Sequence, residues 1–232
     1  MGGSRQRKMI KFATDFKQMI DSYKHKGMRR QLAETVAAKG IKDQRIVEII
    51  GKIPRHFFMD SSFENFAYRD VPFPIGAGQT ISQPYTVAFQ TELLEVKKGE
   101  KILEVGTGSG YQACVLAELG AKVYSIERQK LLYERTRKFL PELGYNIKTF
   151  YGDGYKGLPT FAPFDKILIT AGAPEVPMDL LKQMRIGGIM VIPVGGEEGQ
   201  KMTRIIRIAE NEFERSFHGD FAFVPMLKDK SR

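Results

Sequence analysis

From Lys101 onward, short apolar runs alternate with stretches whose apolar residues have helical spacing. The runs are Lys101–Val105, Lys122–Ile126, Ile147–Tyr151, Lys166–Thr170 and Ile189–Val194, and the helical stretches are Gly110–Leu119, Leu131–Leu140 and Met178–Met184. Strands that alternate with helices need crossover connections, so the pattern predicts an α/β fold with a central, mostly parallel sheet and helices on both faces. Thr203–Ala209 and Glu212–Phe217 flank a turn and predict an antiparallel hairpin at one edge.

The first hundred residues are mainly helical in pattern. Apolar residues spaced three or four apart predict an amphipathic helix with Met9, Phe12, Phe16, Met19 and Tyr23 on one face. Two further helices are expected within 31–60, the second capped by Asp43. Glycines and prolines make regular structure unexpected from Val71 to Pro84, and a helix is predicted for Tyr85–Glu95.

Positive charge is concentrated at the N-terminus. The chain of 232 residues has a formal charge of +9, and residues 1–30 contain nine basic and two acidic residues, which leaves only +2 for the remainder. We therefore predict a basic extension over 1–30 and a single domain over 31–232. A nearly neutral body argues against a nucleic-acid partner, and no apolar run is long enough to cross a membrane. A single cysteine, Cys114, fits a reducing cytoplasm.

A glycine-rich turn follows the first strand of the α/β region. Glu104, Gly106, Gly108 and Gly110 form the pattern acid-x-G-x-G-x-G, whose spacing differs from that of dinucleotide or P-loop motifs. Such a turn lets the backbone approach a ligand closely, although an ordinary strand-to-helix turn is the alternative.

Acidic residues end the next two strands. Glu127 follows the second strand and is placed to accept hydrogen bonds from ribose hydroxyls, and Asp153 follows the third, where it could accept from an adenine amino group. The carboxyl ends of parallel strands form the ligand-binding edge of such sheets, so these residues predict a nucleotide-like site.

Together these residues resemble the Rossmann-like class I S-adenosylmethionine methyltransferases. More specific motifs in order along the chain resemble the protein-L-isoaspartate O-methyltransferase family in its bacterial form. They are Gly78–Tyr85, Leu103–Gln112, Gly152–Gly157, Ala162–Asp165, Thr170–Pro177, Gly187–Gly188, Val191–Gly195 and Phe223–Pro225. The resemblance runs from about Ile41 to Leu227 and leaves the role of the extension unsupported.

The resemblance implies a cofactor, S-adenosyl-L-methionine, which leaves as S-adenosyl-L-homocysteine, and a set of site residues. The implied cofactor-binding residues are Thr80, Ile81, Ser82, Glu104, Gly106, Thr107, Gly108, Ser109, Gly110, Glu127, Arg128, Asp153 and Gly154. The implied substrate-binding residues are Thr80, Ser82, Phe223, Val224 and Pro225, and Ser82 is the implied catalytic residue.

The implied reaction is methyl transfer to the α-carboxylate of L-isoaspartyl residues in damaged proteins and peptides, which starts repair through a succinimide. A carboxylate is already ionised near neutral pH and needs no general base. Orientation should therefore dominate catalysis, with the Ser82 hydroxyl fixing the carboxylate. The alternatives are a loop serine bonded to its own backbone and, for Phe223–Pro225, simple edge packing.

Several residues have structural interpretations. His25, His56 and His218 show no ligand spacing, so we predict no metal site. Cys114 is expected in the core, and Phe57, Phe58, Phe63, Phe66 and Tyr68 in core or cleft-wall packing. A monomer is expected. The rival functions are RNA methylation through the basic extension and a non-catalytic adaptor.

Overall fold

The computed structural model describes residues 19–196 and 198–231. Within them, the chain forms six α-helices and nine strands. The helices are α1 (Tyr23–Ala38), α2 (Gln44–Lys52), α3 (Pro84–Leu94), α4 (Tyr111–Glu118), α5 (Lys130–Glu142) and α6 (Met178–Lys182). The strands are β1 (Phe73–Gly76), β2 (Gln79–Ile81), β3 (Lys101–Val105), β4 (Lys122–Glu127), β5 (Lys148–Tyr151), β6 (Phe164–Ile169), β7 (Met184–Val194), β8 (Gln200–Arg207) and β9 (Phe213–Phe221).

Seven of these strands form one sheet in the order β5-β4-β3-β6-β7-β8-β9. Strands β3 to β7 are parallel, and β8 and β9 add an antiparallel meander at one edge. The predicted α/β fold, the five parallel strands and the edge hairpin are confirmed. Because β3 lies inside the parallel part between β4 and β6, the residues that follow these three strands meet at one edge of the sheet.

Apolar packing covers both faces of the sheet. One cluster joins α1, α2, α3 and α4 to the sheet, and the other packs α6 and the neighbouring loops against the opposite face. Cys114 is buried in the first cluster, as predicted, and burial raises the pKa of its thiol. In the described ranges, no helix combines the length and apolar character needed to span a membrane.

The prediction for Val71–Pro84 is wrong, because β1 and β2 form a short antiparallel hairpin there. Gly76, Ala77 and Gly78 all have positive φ angles. This left-handed backbone reverses the chain within a few residues. The turn residues that suggested an irregular loop are those that close the hairpin. Helix α6 is also shorter than predicted, since Met184 already begins β7.

The N-terminal helix begins later than the apolar spacing suggests. Met9, Phe12 and Phe16 lie outside the described residues. Met19 precedes α1 and is not helical, and Tyr23, the first residue of α1, is 93% exposed. The helix starts here because the Ser22 hydroxyl caps it by accepting a hydrogen bond from the amide of residue 25. Its buried side includes Leu32, Ala33 and Val36 instead. Helix α1 crosses residue 30, where the sequence places the edge of the domain.

Candidate functional site

A cleft opens at the carboxyl ends of β3, β4 and β6. We call it the glycine-loop cleft. It is lined by Gln79, Thr80, Ile81, Ser82, Val87, Val105, Gly106, Thr107, Gly108, Ser109, Tyr111, Gln112, Ile126, Glu127, Arg128, Gly154, Thr170, Ala171, Val224, Pro225, Met226 and Leu227. Segments far apart in the sequence therefore share one cavity with the turn after β3.

The turn after β3 has a backbone that only glycine adopts readily. Gly106, Gly108 and Gly110 have φ angles of 99°, 53° and 87°. A Cβ atom at Gly106 would lie 2.5 Å from the Thr170 Oγ1 atom. The missing side chains keep backbone amides exposed to a ligand in the cleft, and the turn holds no basic side chain for a phosphate.

Glu127 ends β4 and is buried at the cleft, with 4% exposure. Its carboxylate accepts hydrogen bonds from the amides of Gly108, at 2.8 Å, and Gln129, at 2.7 Å. Burial raises the pKa of Glu127, and these backbone donors oppose the shift. A carboxylate has about four acceptor positions, so oxygen lone pairs remain available for hydroxyl donors of a ligand.

Glu104 lies in β3 behind the turn and does not line the cleft. It is fully buried, and its Oε2 accepts a hydrogen bond from the Ser125 hydroxyl, which also bonds Thr107 at 2.6 Å. Its Oε1 has no hydrogen-bond partner among the described residues. Burial raises the pKa of Glu104 to about 8, the Ser125 hydrogen bond opposes the shift, and the nearby charge of Glu127 adds to it.

A second cleft lies beside the first, and we call it the aromatic cleft. It is lined by Lys39, Pro72, Thr80, Ser82, Gln83, Tyr85, Thr86, Phe89, Thr170, His218, Gly219, Asp220, Phe221, Ala222, Phe223 and Val224. Phe89 stacks on Tyr85 and Phe221, with ring centroids 5.7 and 5.4 Å away. Thr80, Ser82, Thr170 and Val224 line both clefts.

The segment that carries Ser82 is fixed from two sides. The buried Arg55 donates from Nη2 to the Ser82 carbonyl oxygen at 2.8 Å. Asp70 accepts from the amide of Tyr85 at 2.8 Å and from the Gln83 side chain at 3.0 Å. The backbone of Ser82 is thereby held at the junction of the clefts, just before α3.

The chain beyond β9 passes along the aromatic cleft and then over the glycine-loop cleft. Gly172 donates its amide to the Val224 carbonyl oxygen and accepts from the Met226 amide. Further on, the Arg128 Nε atom donates to the Asp229 carbonyl oxygen at 2.8 Å. The Tyr151 hydroxyl donates to the Ser231 carbonyl oxygen. This C-terminal tail (residues 226–231) therefore packs beside the ends of β4 and β5.

The structure brings most of the residues implied by the resemblance together. In the glycine-loop cleft lie Thr80, Ile81, Ser82, Gly106, Thr107, Gly108, Ser109, Glu127, Arg128, Gly154, Val224 and Pro225. Phe223 lines only the aromatic cleft. Gly110 and Asp153 line neither of the two clefts. Gly110 is the N-cap residue of α4, and one Asp153 oxygen accepts a hydrogen bond from the Tyr155 amide at 2.9 Å.

Sequence reasoning missed several lining residues, among them Thr170, Ala171 and Met226. Thr170 and Ala171 directly follow β6, the parallel neighbour of β3, so the rule that ligands bind at carboxyl ends of strands could have found them. Met226 belongs to the tail, and no local pattern in the sequence indicates that it folds back over the turn.

The three histidines are far apart in the sequence, but two of them meet in the structure. His25 and His56 are buried with ring centroids 4.0 Å apart, and Asp21 lies beside them. Each group already has a partner. His25 pairs with Glu64 at 2.6 Å, Asp21 with Arg29, and the His56 Nδ1 atom with the Tyr68 hydroxyl. Burial, followed by the charge of His25, lowers the pKa of His56. The cluster ties the start of α1 to the domain.

The aromatic residues near this cluster are partly in the core. Phe58 and Tyr68 are buried, whereas Phe57 and Phe63 are half-buried and pack against the core. Phe66 is 37% exposed and packs on Phe73, with ring centroids 6.0 Å apart. The prediction of core or wall packing fits these positions, with Phe66 at the margin.

A parallel sheet with a glycine turn after β3, and an acid after β4 that holds this turn, defines a class I S-adenosylmethionine-dependent methyltransferase. Comparison with known proteins identifies the branch. The model of the family described as protein-L-isoaspartate(D-aspartate) O-methyltransferase matches residues 27–231, and the chain belongs to this family. Members of the family methylate isoaspartyl residues of proteins, with S-adenosylmethionine as the methyl donor.

Relatives support the assignment along nearly the whole chain. A protein-L-isoaspartate O-methyltransferase of Christiangramia forsetii is 62% identical over 214 residues, which are 92% of this chain and 100% of the relative. One from Flavobacterium psychrophilum is 61% identical with the same coverage.

Two solved structures share the fold. A protein-L-isoaspartate O-methyltransferase superposes with a TM-score of 0.77 at 27% identity, over 85% of this chain and 65% of that one. A Plasmodium falciparum protein solved in complex with S-adenosyl-L-homocysteine superposes with a TM-score of 0.76 at 25% identity, over 87% of this chain and 99% of that one.

Proposed function

We propose that this enzyme methylates the α-carboxylate of L-isoaspartyl residues at the junction of its two clefts. The observation that carries the proposal is that Thr80, Ser82, Thr170 and Val224 line both cavities. A cofactor in the glycine-loop cleft and a peptide in the aromatic cleft would therefore meet beside the Ser82 hydroxyl.

The glycine-loop cleft fits S-adenosylmethionine through its own chemistry. Glu127 offers free acceptor positions for ribose hydroxyls, and Gly106 and Gly108 leave room for the amino acid part of the cofactor. When bound, the cofactor supplies a methyl group attached to a positively charged sulfur. We assign Thr107, Ser109, Arg128 and Gly154 to the same cleft wall, and Asp153 to the adenine end next to it.

Other residues implied by the resemblance support or complete the glycine-loop cleft. Glu104 supports the turn through Ser125 and Thr107. Gly110 lets α4 begin directly behind the turn, because a Cβ atom there would lie 2.8 Å from Leu140. Thr80 and Ile81 bring β2 to the mouth of the cleft. We propose that these residues shape the cofactor site.

Ser82 is the proposed catalytic residue. Its hydroxyl would donate a hydrogen bond to one oxygen of the substrate carboxylate and leave the other oxygen free to accept the methyl group. Because the carboxylate is ionised, no proton has to be removed. The rate then depends on how well the carboxylate oxygen is aligned with the methyl group of the cofactor. The backbone amide nitrogen of the following residue then attacks the methyl ester without the enzyme. Methanol leaves as the succinimide closes, which starts the repair.

The segment Phe223–Pro225 is the proposed peptide-binding wall. Phe223 donates its amide to Gln200 at 2.8 Å, and Val224 is bonded to Gly172, so the backbone of this segment is held beside the sheet. A fixed, extended backbone at the cleft would recognise the main chain of a substrate and accept many flanking sequences.

The remaining predictions stand as proposals. We propose a monomeric, cytoplasmic enzyme without a nucleic-acid partner or resident metal, with one methyltransferase domain over 31–232 and a basic extension over 1–30. Arg29 in α1 joins this extension to the domain, because its Nε donates to the Gly51 carbonyl oxygen at 2.9 Å.

The test uses labelled S-adenosylmethionine and two synthetic peptides that differ only in L-isoaspartate or L-aspartate. Label in the isoaspartyl peptide alone, released by alkali as methanol, is expected. Label in neither peptide, with cofactor bound, would refute the proposed substrate.

Ser82→Ala then tests the catalytic role. We expect kcat to fall about 10-fold or more, because an orienting hydrogen bond is lost, while the affinity for S-adenosyl-L-homocysteine stays the same. Ser61→Ala, at an exposed position outside both clefts, is the matched control. An unchanged kcat in Ser82→Ala would remove Ser82 from the mechanism.

A further inference from the structure

Arg55 is a buried cation that lines neither cleft. It begins a 3-10 turn, Arg55–Phe58, and its side chain is among the largest that are fully buried. Burying a guanidinium group is costly unless its charge and its N–H donors have partners. The contacts that offset this cost should therefore show what the residue does.

The contacts of Arg55 are few. Nη2 donates to the Ser82 carbonyl oxygen at 2.8 Å, and the guanidinium carbon lies 4.8 Å from the ring centroid of Tyr111. Within 19–196 and 198–231, Nε and Nη1 have no hydrogen-bond partner, and no ion pair forms. Burial lowers the pKa of Arg55 to about 10, so the group remains charged at neutral pH.

The two contacts belong to two different segments of the site. Ser82 belongs to the segment between β2 and α3, whereas Tyr111 is the first residue of α4, directly after the glycine turn. One planar group thus links the segment that carries the proposed catalytic hydroxyl to the helix that supports the cofactor turn.

Arg29 shows what a buried arginine with full partners looks like in the same protein. Its guanidinium forms a two-pronged ion pair with Asp21, at 2.9 and 3.0 Å, and its Nε donates to the Gly51 carbonyl oxygen at 2.9 Å. Arg29 is therefore well placed to stabilise the fold, whereas the one hydrogen bond that Arg55 forms among the described residues goes to Ser82.

We infer that Arg55 is a positioning residue, which holds Ser82 at a fixed place relative to the cofactor turn. The inference rests on the proposed function of Ser82. Arg55 does not touch the reacting atoms. It acts through the Ser82 peptide, and a small displacement of that hydroxyl would misalign the carboxylate.

The test compares Arg55→Met with Arg29→Met in the full chain. Methionine keeps an unbranched apolar side chain and removes the charge. For Arg55→Met we expect kcat with the isoaspartyl peptide to fall about 10- to 100-fold, with an unchanged dissociation constant for S-adenosyl-L-homocysteine. The Tm should stay within about 3 °C, because replacing a buried charge by an apolar group is often neutral.

Arg29→Met should show the opposite pattern. Asp21 loses its partner, so the Tm should fall by about 5 °C, while kcat measured on folded enzyme stays at the wild-type level. Arg55→Lys keeps a cation that can reach the Ser82 carbonyl but loses the planar fork, so it should recover part of kcat.

Two results would overturn the inference. One is an unchanged kcat in Arg55→Met. The other is a loss of Tm and of S-adenosyl-L-homocysteine affinity in step with kcat, which a merely structural residue would give. If Arg55→Met does not fold, Arg55→Lys decides by the same criteria. Wild-type enzyme that fails to methylate the isoaspartyl peptide would refute the proposed function instead, so the two failures are distinguishable.

Discussion

The glycine-loop cleft and the aromatic cleft meet at Ser82 but are built in different ways. The first is formed largely by a tight turn after β3 and by the acid that ends β4, which is hydrogen-bonded to that turn. The second joins the start of α3 to the end of β9, more than a hundred residues away in the sequence. The turn at the centre of the cofactor site can therefore be encoded by local backbone geometry, and distant segments complete its cleft. The substrate site depends throughout on side chains that distant segments bring together.

The largest expected effect is a loss of cofactor affinity in the glycine-loop cleft. Gly106→Ala would place a Cβ atom 2.5 Å from Thr170 Oγ1 at a φ of 99°. We expect the affinity for S-adenosyl-L-homocysteine, measured by calorimetry, to fall about 100-fold, or roughly 3 kcal/mol. Gly144→Ala is the control, since Gly144 also has a positive φ but an open surrounding. Equal losses in both variants would show that backbone strain alone, and not the cleft, decides the outcome.

The next effect is on the pH dependence of stability, to which the buried acid Glu104 contributes. Burial raises the pKa of Glu104 from its ordinary value of 4.5 to about 8 in the folded protein. Between these two pH values, the folded protein keeps a proton on Glu104 that the unfolded chain has released. The stability contributed by this proton is present below pH 4.5 and is lost as the pH rises to about 8.

Glutamine does not titrate, so Glu104→Gln should remove this dependence of stability on pH. The variant should gain on the order of 2 kcal/mol over the wild type between pH 4.5 and pH 8, at about 1.4 kcal/mol per pKa unit with allowance for relaxation. Urea unfolding at several pH values measures the difference. A constant offset between the two proteins at every pH would show that Glu104 titrates normally.

The smallest effect addresses the aromatic cleft. Phe221→Leu removes a ring that stacks on Phe89 at 5.4 Å and takes an aromatic surface away from the cleft, whose contact with a bound peptide would be worth about 1 kcal/mol. The KM for the isoaspartyl peptide should therefore rise about threefold to fivefold, with unchanged S-adenosyl-L-homocysteine affinity. Phe217→Leu, on the same strand but 67% exposed and outside the cleft, should leave the KM unchanged. A shift in cofactor affinity for Phe221→Leu would mean that the two clefts are not independent.

The same contrast explains what the sequence could predict. The parallel strands, the glycine turn and Glu127 follow from short-range patterns, because each strand and its following turn are contiguous in sequence. The β1–β2 hairpin was missed because Gly76, Ala77 and Gly78 signal a turn without indicating that strands flank it. The Arg55 contact with Ser82 and the pairing of His25 with His56 depend on tertiary packing, which no spacing reveals.

The C-terminal tail has a practical consequence for handling the protein. Ser231 accepts from Tyr151 and donates its amide to Arg128, a residue of the glycine-loop cleft. A purification tag or fusion partner at the C-terminal end would be joined close to Ser231, beside this cleft, and would strain the tail that covers it. Affinity handles and immobilisation linkers should therefore be placed at the opposite terminus, ahead of α1, where Tyr23 already faces solvent.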